Sequence, residues 1–149
     1  NRISRLVDTA DLSLRDFDSA REEINFALNA EDPWQRYWAL IVLSSFGEQA
    51  NIYAQRVNDI AQSDDENLVR LRAIEFLALI GRENPSQLLP ALLISAANEV
   101  EATIILNTAV LLRDFTEYDI QIDSEMIPLS LTGPQRLNID RRLDYLYSD

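Results

Sequence analysis

The sequence predicts an all-α fold: an α-α superhelix of repeated helix pairs followed by an irregular C-terminal tail. Three observations carry this. Apolar residues recur at helical spacing from the start of the chain to about Phe115. Three Gly and five Pro in 149 residues are too few for a turn-rich β sandwich or barrel. The apolar stretches also repeat in register. A shift of 34 residues aligns Arg36 with Arg70, Ala39 with Ala73, Leu43 with Leu77 and Gly47 with Gly81. An amphipathic outer helix and an apolar inner helix repeating at this period form a helical solenoid.

The elements follow in order. Residues 1–14 hold Ile3, Leu6, Val7 and Leu14, a short helix suited to cap the end of the stack. The first pair, 15–47, begins with an amphipathic helix over Ser19–Ala30, whose Ala20, Ile24, Ala27 and Leu28 share one face. Its second helix, Trp34–Phe46, is apolar nearly all round, as a helix buried inside a stack should be. Pro33 suits a first helical turn, Glu31 and Asp32 favour the positive helix start, and Gly47 suits a C-terminal cap. The pair 48–81 repeats this plan. Tyr53, Val57, Ile60 and Ala61 line one face within Ala50–Gln62, and the acidic turn Asp64-Asp65-Glu66 leads into Leu68–Ile80. In the pair 82–114, Leu88, Leu89, Leu92, Leu93 and Ala96 make one face, and Val100–Leu112 is the inner helix. The tail, 115–149, alternates over Tyr118–Asp123 like a strand or extended segment. Pro128, Gly133 and Pro134 break it, and Ile139–Tyr147 suits one last short helix.

Two copies of D-x-x-x-R-x-x-A-x-x-x-L with a terminal Gly carry a family resemblance. They are Asp32, Arg36, Ala39, Leu43 and Gly47, then Asp65, Arg70, Ala73, Leu77 and Gly81, with the acid displaced by one residue in the second copy. This pattern resembles HEAT-type repeats. The stretch Ala30-Glu-Asp-Pro-Trp-Gln-Arg-Tyr-Trp-Ala-Leu40 narrows it, looking like the HEAT-like region C-terminal to the catalytic domain of many bacterial sulfatases. Asp11–Asp18, Leu68–Gly81 and Leu106-Asn107 agree with it.

That resemblance implies a parent that hydrolyses sulfate esters with a formylglycine and a calcium ion, and that is periplasmic or secreted. Formylglycine arises from Cys or Ser in C/S-x-P-x-R, and no such motif occurs. The one Pro-x-Arg, Pro134-Gln135-Arg136, is preceded by Thr132. The catalytic residues are therefore expected upstream of Asn1, in a longer or processed polypeptide, with no cofactor in this chain.

Composition points the same way. The chain has no His, no Cys and no Lys; all 13 of its bases are Arg. An imidazole base, a thiolate nucleophile or metal ligand, a disulfide and a Schiff-base lysine are all excluded. A net charge of −12 repels nucleic-acid phosphates and anionic lipid heads, so neither is an expected partner. The longest uncharged run, Asn84–Asn98, contains two prolines and is too short to span a membrane.

Four sets of residues are candidates for a role. Asp32, Arg36, Asp65, Arg70 and Asn107 are expected to form a structural ladder, in which each Arg bridges an acid or carbonyl of a neighbouring repeat and Asn107 bonds a turn carbonyl. Trp34 and Tyr37 match the core positions Leu68 and Leu71. Trp38 and Ile41 instead match Arg72 and Glu75, a solvent-facing position, so these four mark a docking surface for the N-terminal helix or another domain. The acids of 64–66 and 119–123 lack the spacing of a calcium loop, and Glu99 and Glu101 lack a cleft for glycosidase work. The expected function is a non-catalytic scaffold packing on the catalytic domain of the same polypeptide or on a protein partner. The alternative is an independent repeat module that binds a protein or peptide along its concave face.

Overall fold

The computed structural model describes residues 1–128 and 136–147, and every regular element among them is helical. The chain falls into two compact units, Asn1–Arg82 and Glu83–Asp149.

The first unit holds α1 (Arg2–Ala10), α2 (Phe17–Leu28), α3 (Pro33–Phe46), α4 (Ala54–Ser63) and α5 (Asn67–Leu79). Each start is fixed by a polar cap or turn. Asn1 accepts from the Ser4 N–H, Asp16 from Ser19 and Asp32 from Trp34, which satisfies N–H groups that a helix start leaves orphaned. A tight 3-10 stretch, Gly47–Tyr53, leads into α4, because Gly47 sits at φ 63, ψ −133 and turns the chain sharply away from α3. The end of α5 is a Schellman motif. The Arg82 N–H bonds the Leu77 carbonyl and the Gly81 N–H bonds Ala78, with Gly81 at φ 71.

Helices α3 and α5 lie side by side, α1 packs along the other flank of α3, and α2 and α4 back α3 and α5. The core is the apolar set shared by these helices: Ala20, Ile24 and Leu28 from α2, Ala39, Leu40 and Leu43 from α3, Val57 from α4, and Leu71, Ala73, Ile74 and Phe76 from α5. Phe17 anchors one end, its ring 5.3 Å from Phe46 and 6.2 Å from Tyr53.

The second unit holds α6 (Pro85–Ile94), α7 (Glu99–Phe115) and α8 (Arg136–Tyr147). Asn84 and Asn98 cap α6 and α7. Tyr118–Asp123 forms neither helix nor strand; its alternation instead buries Ile120 and Ile122. The last helix begins at Arg136, three residues before the expected Ile139. Gly133 and Pro134 lie outside the described residues. Among the described residues, no helix is long and apolar enough to cross a membrane.

Candidate functional site

The ladder appears in the first unit with a membership that differs from the expected one. Arg36 clamps Asp64, not Asp65: Nε donates to Oδ2 at 2.8 Å and Nη2 to Oδ1 at 3.1 Å. Its Nη1 also donates to the Ala30 and Glu31 carbonyls. Asp64 in turn accepts from the Glu66 N–H, which holds the turn before α5. The pair is largely removed from water, with side chains 16% and 6% exposed. Asp65 is exposed and stands outside this clamp.

Asp32 does not bond Arg36. It is clamped by Arg2 through the same atoms, Nε to Oδ2 at 2.8 Å and Nη2 to Oδ1 at 3.0 Å. Arg2 lies 34 residues before Arg36, so the repeat reaches back into α1, and that spacing was present in the sequence to be found. The Arg2 guanidinium holds the Asp32 carboxyl below the usual carboxylate range, and Arg2 is raised in return. Arg70 donates from Nε to the Ala61 carbonyl at the end of α4, 2.9 Å away.

Asn107 corrects an expectation of burial. It is exposed on α7, and its Oδ1 accepts from Arg142 of α8 rather than reaching a turn carbonyl. Most of α7 is apolar, but helical phase turns Asn107 outward.

The docking candidates share one face of the first unit. Trp38 keeps 36% of its surface and Ile41 is half-buried, with α1 beside them. That helix does not seal the face, since Ile3 is 73% exposed and Val7 more than half exposed. Trp34, Tyr37 and Trp38 stack edge to face down α3, at 5.7 and 5.9 Å between ring centroids.

Arg72 and Glu75 are less open than expected, at 17% and 14% exposure. The reason is Tyr37. Arg72 lies over its ring, 5.2 Å from the centroid, and donates to its hydroxyl at 3.0 Å and to Glu75 at 3.0 Å. Burial pushes the Glu75 carboxyl above its ordinary value, outweighing the attraction of Arg72. Leu79 continues the face one turn along α5 and is exposed. Ile3, Val7, Trp38 and Leu79 are thus exposed apolar side chains on three helices, α1 and α5 each packing on α3, while Ile41 is half-buried and the Arg72–Glu75 pair is largely shielded.

None of the carboxylates weighed for catalysis or calcium gathers into a site. Asp64 is committed to Arg36, Asp123 caps the short 3-10 turn Ser124–Met126, and Glu101 accepts from the Ala97 N–H. Among the described residues no group of three or more acids is placed to hold a metal ion.

No family model matches the chain, and neither does any curated protein or solved structure.

Proposed function

We propose that the chain is a non-catalytic helical-repeat interaction module whose first unit presents the Ile3–Val7–Trp38–Ile41–Leu79 stripe to a protein partner. The observation that carries this is the stripe itself. Apolar and aromatic side chains of α1, α3 and α5 stay exposed, although α1 and α5 both pack closely on α3. Contiguous exposed apolar surface on a folded domain marks an interaction site. Trp and Tyr are suited to anchor one, since they bring much contact area at little entropy cost. The repeat is read as HEAT-type on the two ladder copies. The partner is read as the catalytic domain of a sulfatase-type polypeptide, exported to the periplasm or beyond. That finer reading rests on the stretch Ala30–Leu40, with Asp11–Asp18, Leu68–Gly81 and Leu106-Asn107 in agreement.

A photo-crosslinking residue placed at position 38 tests the interaction in cells of the source organism. A discrete protein adduct is expected from position 38 and none from position 62, an exposed site on the outer helix α4. The same adducts from both positions, or none from position 38, overturn the proposal. A C/S-x-P-x-R motif in the reading frame upstream of Asn1 is what the sulfatase parent requires; a frame without one removes that parent and leaves the independent module.

A further inference from the structure

The second unit carries a groove of about 470 Å³ between α7 and α8, lined by Asn107, Val110, Leu111, Arg141, Arg142 and Tyr145. That volume lies within the range of small-molecule sites. Its charge is unusual for this chain. The second unit is acidic, and its arginines are Arg113, Arg136, Arg141 and Arg142. Two of these line the groove, and a third, Arg113, stacks on the Tyr145 ring at 5.8 Å.

Along α8, Arg141 and Tyr145 lie one turn apart on the groove side; Asp144, three residues after Arg141, neighbours it on the helix surface, and Asp140 pairs with Arg136. Arg142 is committed, to Asn107 and to the Asn138 carbonyl. Arg141 is exposed and makes no hydrogen bond or ion pair with any described residue. The groove therefore offers one uncommitted guanidinium fork beside an apolar wall of Val110 and Leu111. One fork fits one carboxylate through two parallel hydrogen bonds.

We propose that this groove binds a monoanionic amphiphile, a carboxylate on an apolar chain, with the carboxylate on Arg141 and the chain along Val110, Leu111 and the Tyr145 ring. The test uses the full chain, 15N-labelled, titrated with decanoate below its micelle threshold. Decyltrimethylammonium serves as the cationic control. Decanoate is expected to shift amides within 107–111 and 138–145. Its affinity is expected to fall about tenfold or more in Arg141→Gln, the loss of one charge-assisted pair. The ammonium compound is expected to leave these amides in place. Should Arg141→Gln disturb the whole spectrum, Leu111→Glu, at an exposed wall position, is expected to abolish decanoate binding with α7 and α8 intact. Unchanged decanoate affinity in the variant that folds overturns the proposal. So do shifts confined to the stripe of the first unit, or equal binding of the cation.

Discussion

The Arg36–Asp64 rung makes the sharpest energetic prediction. Replacing Asp64 by Ala removes both bonds from Arg36 and the acceptor for the Glu66 N–H. Breaking a buried pair by removing one partner costs about 3–5 kcal/mol, because the other charge stays desolvated. Arg36 keeps two carbonyl acceptors and 16% exposure, so the lower end, about 3 kcal/mol, applies here. Loss of the turn acceptor adds up to about 1 kcal/mol. The Arg2–Asp32 rung has the same hydrogen bonds, but Arg2 is 55% exposed, so water screens it and its coupling is the weaker of the two. The assay is urea unfolding followed by tryptophan fluorescence. Trp34 and Trp38 both lie on α3, so the signal reports the first unit. A double-mutant cycle over Arg36→Ala and Asp64→Ala is expected to give a coupling above about 1.5 kcal/mol. A coupling no larger than that of the exposed rung refutes the reasoning.

Four further outcomes follow from the first unit. Gly47→Ala is expected to cost about 2 kcal/mol in the same urea assay, a pure backbone effect, because a Cβ there meets no atom within 4 Å. Gly81→Asn is expected to cost less than Gly81→Ala, since Asn tolerates the left-handed cap. The raised Glu75 carboxyl makes the folded state hold its proton longer than the unfolded chain. Wild-type stability is therefore lost as pH rises through the ordinary Glu range toward the folded value. Glu75→Gln abolishes that loss, so its stability relative to wild type should rise over that interval in pH-dependent melts; a flat difference contradicts it. Finally, the Ser44 hydroxyl is buried without a hydrogen-bond partner among the described residues, so Ser44→Ala is expected to be neutral or to stabilise by about 1 kcal/mol in thermal melts.

Fold class and helix order were legible because helical periodicity and the 34-residue register both act along the chain. Glycines marked the ends of α3 and α5 because their backbone angles need glycine, a local property. Partner choice was not legible. Arg36 does form a rung, but its acid is Asp64, because the turn before α5 places that carboxylate two residues earlier in the repeat than Asp32. Arg2 was missed because α1 shares few other residues with the repeat. The equivalence of Trp38 and Arg72 suggested a common exposure. Yet Arg72 folds onto Tyr37 of the preceding repeat, and a cross-repeat contact of this kind leaves no trace in one sequence. The groove of the second unit depends on α7 meeting α8, which no periodicity encodes.

Acrylamide quenching of Trp38 in a Trp34→Phe variant tests the central claim most directly. Trp38 is then the sole tryptophan and sits in the middle of the stripe. Quenching is expected to be intermediate in the free protein, in keeping with 36% exposure, and strongly reduced once the partner captured from position 38 is added. A Trp38 already shielded in the free protein, or one whose quenching is unchanged with that partner bound, contradicts it.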